Sequence, residues 1–285
     1  MSCRRSQVLD EYRYDPILSA LGSNLSNPEI RECIKEVQKI AGYELNSSTQ
    51  EAFQYINDFI TNPQPDFITE WRENESQEKW YHRFTNGFLG DVQNTIACVH
   101  YHYDNLAKIE KAVIEKIEPY NYKSILGDSL LAFGNTLKWD FEYQAFVLAF
   151  RRCLDYLARA ICCYYKNDFH SFRTLDKYLL KQKPQEIALA LNPILSKYYS
   201  LFEFVLSEGD RKSIRDKITH YEYVSVGTIN LNKNGFMLAG GGENLGFNEQ
   251  TNDKGLISVL LEKTDNLDRC ISEIIITFVN VIRNA

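Results

Sequence analysis

Hydrophobic residues recur at every third or fourth position along most of the chain, a period that predicts amphipathic helices. Two stripes are the longest: one begins near Asp140 and continues for about six turns, and the other spans Leu256 to Ile282. The positions predicted to face inward are Phe141, Phe146, Val147, Phe150, Cys153, Leu154, Leu157, Ala158 and Ile161, followed by Leu260, Leu267, Ile271, Ile274, Ile275, Phe278 and Ile282. Long buried helices of this kind indicate a helical bundle.

Two helix starts in the first third of the chain carry recognisable signals. The run Ser26-Asn27-Pro28-Glu29 places proline near the first helical position, which favours a helix beginning there. The pair Ser48 and Glu51 has the spacing of a capping box and predicts a second helix, which Pro63 and Pro65 end.

Helical patterns continue through the middle of the chain. The aromatic-rich stretch 66–119 predicts two helices or one bent helix, and a further helix is predicted near 171–182. The pattern over 184–206 contains Asn192-Pro193 and predicts a bent or split helix, because proline removes a helical hydrogen bond. A short helix is then predicted at about 210–221.

The hydrophobic period changes from helical to alternating after residue 223. Residues 224–231 predict a strand, Asn232-Lys233-Asn234-Gly235 a hairpin turn, and Phe236-Met237-Leu238 the returning strand. The following Gly240-Gly241-Gly242 lacks the spacing of a phosphate-binding loop and is interpreted as a flexible exit from the hairpin. The predicted fold class is all-α: a helical bundle with a β-hairpin insertion before the last helix.

Composition limits the classes of protein that this chain can be. Hydrophobic residues make up 44% and charged residues 25%, a globular balance, and the net charge of −6 disfavours a broadly basic nucleic-acid coat protein. The N-terminus has no apolar signal region, and no apolar stretch is long enough to span a bilayer. The seven cysteines form no CxxC pair and are predicted to be reduced, mostly buried thiols of a cytoplasmic protein with no membrane partner.

Few residues have the spacing of a known catalytic or metal site. His100 and His102 are two positions apart, which on a helix places them on nearly opposite faces. The chain contains neither HExxH nor GxSxG. The sequence therefore predicts no metal site and no cofactor.

The segment Arg215-Asp216-Lys217-Ile218-Thr219-His220 combines a cation that binds phosphate with a residue that transfers protons near neutral pH. At about 100° per residue, Ile214, Ile218 and Tyr221 form a buried stripe. On that wheel Arg215 and His220 lie about 140° apart and border a polar face that also contains Lys212. An alternative is an ordinary solvated helix whose histidine lies near the C-terminal end, where the helix dipole favours a cation.

An all-helical bundle with Arg-x4-His on a late helix resembles the HEPN family (higher eukaryote and prokaryote nucleotide-binding domains), many of whose members are ribonucleases. The polar Asp216 after the arginine fits the family pattern, and 150–161 resembles its long core helix. The resemblance covers about residues 125–285. We therefore divide the chain into 1–90, a helical N-terminal region of unknown role, and 91–285, a HEPN-like helical bundle that carries the motif. The toxin-type extension Arg-x4-His-x-Tyr is not met, since Glu222 stands in the tyrosine position.

The resemblance implies a metal-independent endoribonuclease that cuts single-stranded or loop RNA through attack of the substrate's own 2′-OH. It implies a homodimer with a composite active site, a role as a toxin or antiviral defence effector, and a neutralising or regulatory protein partner. The site residues that it implies are Arg215, His220 and Asp216 as catalytic residues, with Lys212 and Lys217 as RNA-binding residues. Two alternatives stay open: a catalytically silent HEPN-like scaffold for dimerisation or binding, and an unrelated helical adaptor.

Overall fold

The computed structural model describes residues 28–61, 65–206, 213–239 and 255–284. By packing, the chain divides into two compact units, 1–44 and 45–285. The first unit contributes one described helix, α1 (Pro28–Ala41), which begins at the predicted proline. Residues 45–90 share one hydrophobic core with the rest of the second unit. The functional division near residue 90 stays a prediction.

The second unit is a helical bundle with a small antiparallel sheet, as predicted. Its α-helices are α2 (Ser47–Thr61), α3 (Asp66–Glu73), α4 (Glu78–Asn86), α5 (Gln93–Ile117), α6 (Tyr122–Leu126), α7 (Leu137–Cys163), α8 (Leu175–Leu179), α9 (Glu186–Leu201), α10 (Glu203–Leu206), α11 (Ile214–Asp216) and α12 (Leu256–Arg283). Two π-helical turns, Gly87–Val92 and Lys217–Tyr221, and one 3₁₀ turn, Phe172–Thr174, complete the helical elements of the described chain.

Helix α7 occupies the centre of the bundle, where α5 packs along it. Helix α12 packs against α2, α9 and α5. Every inward position predicted for α12 is buried, and so is every one predicted for α7 except Phe141. The side chain of Phe141 is 59% exposed, because it lies in the first turns of α7, where only part of the helix surface is covered.

The sheet has the strand order β1-β2-β3, with β1 (Leu131–Phe133), β2 (Thr228–Asn232) and β3 (Gly235–Ala239). The predicted hairpin turn is confirmed, since Asn232 pairs with Gly235. Gly235 has φ +119°, a value that glycine adopts without strain. Strand β1 was not predicted, because three residues are too few to show an alternating pattern. The glycine run 240–242 lies outside the described residues.

Two helix boundaries differ from the predictions for local reasons. The side chain of Asn46, not that of Ser48, caps α2: its Oδ1 accepts the Thr49 N–H at 2.9 Å and the Ser48 hydroxyl at 2.9 Å. Of the two predicted alternatives, a bend or a split, the split does not occur: Pro193 lies inside a continuous α9, which ends at Leu201.

Most of the described cysteines are core residues. Cys153, Cys162, Cys163 and Cys270 are fully buried, and burial raises the pKa of each of these thiols, that of Cys163 to about 11. Cys33 departs from the predicted burial, since it is exposed. Raised pKa values leave the four buried thiols unreactive at neutral pH.

Candidate functional site

The Arg-x4-His motif begins at Arg215, and Lys212 lies outside the described residues, which resume at Ser213. Ser213 caps the motif helix: its hydroxyl accepts the Asp216 N–H at 3.2 Å. Ile214 is buried and attaches the helix to the bundle. The one-turn helix α11 then continues directly into the π-helical turn Lys217–Tyr221.

The π-helical turn changes which side chains share a face. The Glu222 N–H donates to the Lys217 carbonyl oxygen at 3.0 Å, a hydrogen bond that spans five residues. The side chains of the same two residues form an ion pair with an Nζ–Oε1 distance of 3.5 Å. Lys217 and Glu222, five residues apart, therefore meet across this turn. Arg215 and His220 have the same spacing, but no hydrogen bond or ion pair joins them within the described residues.

The wider winding also corrects the predicted buried stripe. Ile218 packs against the core, but Tyr221 is 61% exposed because the π turn is not wound at 100° per residue. The motif therefore presents an aromatic ring to solvent beside its histidine. The rings of His220 and Tyr221 lie 6.1 Å apart in an edge-on arrangement.

Arg215 and Asp216 are the two predicted site residues that the structure joins directly. The Arg215 guanidinium donates to Asp216 Oδ1 at 2.6 Å. Partial burial opposes ionisation of Asp216, but hydrogen bonds from Arg215 and Ser213 and the charges of Arg215 and Arg151 outweigh it. The pKa of Asp216 is therefore lowered, and the carboxylate holds Arg215 in place.

His220 is exposed and makes no hydrogen bond with any residue in the described part of the chain. Lys217, by contrast, is partly occupied by its ion pair with Glu222. The arrangement thus offers one accessible imidazole, one guanidinium fixed by a carboxylate, and one lysine whose charge is shared. These groups can bind a phosphate and move a proton.

The chain that follows the motif is held by Asp140, a residue that the sequence analysis placed only at a helix start. Its buried carboxylate accepts hydrogen bonds from the Val226 N–H at 2.8 Å, the Tyr223 hydroxyl at 2.9 Å and Ser225 Oγ at 3.1 Å. Gln144, one turn along α7, donates to the Val224 carbonyl oxygen at 3.0 Å. Desolvation and the hydrogen bond to Asp140 raise the pKa of Tyr223 to about 12.

A sequence signal for Asp140 did exist. Asp140 is in phase with the buried positions Tyr143, Val147, Phe150 and Leu154 of the same helix. A carboxylate on the buried side of a helix needs partners, because an unpaired buried charge is strongly unfavourable.

Arg151 supports the other side of the motif. Its Nε donates to Asp155 Oδ2 at 2.8 Å, and its NH1 group donates to the Val205 carbonyl oxygen at 3.0 Å, at the end of α10. Arg151 thereby ties α7 to the chain that leads into the motif, and its charge also acts on Asp216.

The two histidines of α5 pair with different carboxylates. His100 Nε2 lies 2.9 Å from Asp268 Oδ1, and His102 Nδ1 lies 2.6 Å from Glu142 Oε2. Among the described residues, no three His, Cys, Asp or Glu side chains come together as a metal site.

Comparisons with protein-family models, with curated proteins and with solved structures find no match to this chain. None of the described helices is both long enough and apolar enough to cross a membrane.

Replacing Asp216 with asparagine tests whether the Arg215–Asp216 pair stabilises the motif. Because the folded pKa of Asp216 is lowered, its ionised form contributes stability at neutral pH, and that contribution disappears as the pH falls through the folded pKa. We expect D216N to unfold more easily at pH 7 by at most about 1 kcal/mol, with the difference shrinking below about pH 4. Urea unfolding from pH 7 to pH 3 measures it; a difference that stays constant over this range contradicts the pairing.

Proposed function

We propose that the protein is a HEPN-type endoribonuclease that cleaves single-stranded or loop RNA without a metal ion, as a toxin or antiviral defence effector. The observation that carries the proposal is the exposed π turn, which places His220 five residues after an arginine whose guanidinium is held by Asp216. Chain segments before and after the turn are hydrogen-bonded to the central helix α7, Val205 by Arg151 and Val226 by Asp140. Rigid support is what a catalytic constellation needs.

In the proposed reaction, the 2′-OH of one ribose attacks the phosphorus of the next phosphate. The hydroxyl proton passes to a histidine acting as base, the bond from phosphorus to the 5′ oxygen breaks, and that oxygen receives a proton. The products are a 2′,3′-cyclic phosphate and a free 5′-OH. His220 transfers protons, while Arg215 stabilises the charge that develops on the phosphate oxygens. Asp216 positions Arg215, and Lys217 adds positive charge, as does Lys212.

A homodimer supplies the second set of groups in this proposal. Exposed apolar side chains lie beside the motif, as a protein–protein contact requires. Leu137 and Phe141 lie one turn apart on α7, each more than half exposed, and the exposed Tyr223 reaches Asp140, the neighbour of Phe141. We propose that this surface pairs with that of a second copy, so that two motifs face one cleft.

The catalytically silent scaffold remains the second candidate, and one contact favours it. Asp216 already occupies the guanidinium of Arg215 at 2.6 Å. In a scaffold this pair is purely structural, whereas in the enzyme a substrate phosphate competes with Asp216 for Arg215.

Incubating the full chain with structured and single-stranded RNA in EDTA distinguishes the two candidates. The enzyme leaves 2′,3′-cyclic phosphate ends, and we expect R215A and H220A each to lower the cleavage rate by roughly 10²-fold or more. The matched controls are R269A and H82A, which remove exposed side chains far from the motif in sequence and should cleave at the wild-type rate. Cleavage that persists in R215A and H220A, or none by a folded wild-type protein on any RNA, contradicts the proposal.

A further inference from the structure

A second polar site lies along the same helix as Arg151. It is a cavity of about 430 Å³, lined by Arg83, Asp155, Tyr156, Arg159, Asp168 and His170. Its walls come from α4, from the second half of α7 and from the loop that follows α7. Its size is that of a small-molecule site.

Both carboxylates in the wall already have partners. The guanidinium of Arg83 contacts both oxygens of Asp168. Asp155 accepts hydrogen bonds from Arg151 and, at 3.1 Å, from the Phe172 N–H. Neither carboxylate is therefore left to neutralise a further cation.

Arg159 is the arginine of the cavity wall that takes no part in these pairs. Its side chain is half-buried in the cavity wall, yet it makes no hydrogen bond or ion pair with any residue that the structure describes. A guanidinium withdrawn from bulk water gains most from an anion that accepts two parallel hydrogen bonds. The cavity therefore offers a binding position for a phosphate or a similar oxyanion.

The remaining wall residues point to a nucleotide as the bearer of that phosphate. His170 Nδ1 lies 3.2 Å from the Asp168 carbonyl oxygen and must donate to it, so Nε2 is the ring nitrogen left for a ligand. Tyr156 adds an aromatic ring, whose phenol oxygen accepts a hydrogen bond from Arg152 at 3.2 Å. Arginine beside an aromatic ring is the combination that binds phosphate and stacks on bases.

We propose that this cavity binds the phosphate of a ribonucleotide, with Arg159 as the principal ligand and Arg83 and His170 beside it. The phosphate belongs either to a free nucleotide or to an RNA strand that also binds the motif. The RNA strand as the source rests on the proposed function. Arg151, Asp155 and Arg159 follow one another at intervals of four on α7. Arg159 therefore lies roughly 12 Å along the axis from Arg151, which supports the motif.

Binding, rather than cleavage, tests this site. The probes are AMP, adenosine as the phosphate-free control, and a fluorescein-labelled 2′-O-methyl RNA of about ten nucleotides, which has no 2′-OH to attack. The proteins are the full-length wild type, R159Q, R159K, the control R269A, and the double variant R215A/H220A. Circular dichroism verifies that each variant is folded.

We expect calorimetry to show AMP binding to the wild type, to R269A and to R215A/H220A. Binding should weaken by roughly tenfold or more in R159Q and less in R159K, which keeps the charge but not the fork. Adenosine should bind at least tenfold more weakly than AMP. Retained AMP binding in R215A/H220A separates this site from the motif, so either proposal can fail alone.

The RNA probe distinguishes the two sources of phosphate. If the cavity holds an RNA strand, R159Q weakens RNA binding and reduces the slope of the logarithm of the RNA binding constant against log salt by about 0.7. In that case AMP also competes with the RNA. If the cavity holds a free nucleotide, R159Q changes the affinity for AMP and leaves RNA binding unchanged. The proposal is overturned if the wild type binds neither AMP nor RNA, or if R159Q binds both as tightly as the wild type.

Discussion

Replacing Asp140 with alanine will destabilise the protein by about 3 kcal/mol or more, because each hydrogen-bonding group stranded by the change costs roughly 1–3 kcal/mol. Asp140 is 2% exposed, and its carboxylate accepts hydrogen bonds from the Val226 N–H, the Tyr223 hydroxyl and Ser225 Oγ. Alanine leaves the Val226 N–H buried without this partner. Urea unfolding followed by circular dichroism measures the loss.

The same substitution should also lower any activity of the motif, since Asp140 holds the chain that leaves the π turn. Tyr223→Phe is the matched control: it removes one of these hydrogen bonds from an exposed ring, so we expect a loss of about 1 kcal/mol or less. If D140A unfolds at the same urea concentration as the wild type, the Asp140 network does not anchor this segment.

Replacing Phe150 with alanine will remove about 3–5 kcal/mol of stability, the usual cost of deleting a buried phenylalanine ring. Phe150 is fully buried at the centre of α7, with the rings of Phe202 and Phe204 each 5.1 Å away and that of Phe146 at 5.8 Å. Its neighbour Arg151 supports the motif, so the cavity left by the ring weakens the base of the site as well as the core.

Phe141 provides the control on the same helix. It belongs to the same predicted stripe as Phe150 but is 59% exposed in the single chain, so Phe141→Ala should change the stability of the monomer by no more than about 0.5 kcal/mol. Equal destabilisation by the two substitutions would show that the exposed end of α7 is covered in the folded protein. The comparison separates burial from helix propensity, because both positions lose the same side chain.

The long helices were predictable because their apolar stripes are many turns long. In α12 every predicted inward residue, from Leu260 to Ile282, is buried. The shorter elements were less well predicted. Strand β1 has three exposed residues, and its pairing with β2 across about a hundred residues depends on the folded chain.

The Arg-x4-His motif could be recognised in the sequence, but its geometry could not be predicted from it. The helical wheel placed Tyr221 inside, whereas the π turn exposes Tyr221 and joins Lys217 to Glu222, five residues apart. The helical wheel assumes 3.6 residues per turn, so it cannot show a π turn, which is rare and is wound differently. The pairing of Lys217 with Glu222 follows from the same winding.

The sequence by itself determined the all-helical class, the central helix and the terminal helix through hydrophobic periodicity, and the hairpin turn through Asn232-Lys233-Asn234-Gly235. Each of these features depends on interactions between residues near one another in sequence. The tertiary structure decided which polar groups meet. Asp140 and Val226 are 86 positions apart, and Arg83 and Asp168 are 85 apart. Such contacts form only when packing of the apolar faces has brought distant segments together, so no spacing along the chain predicts them.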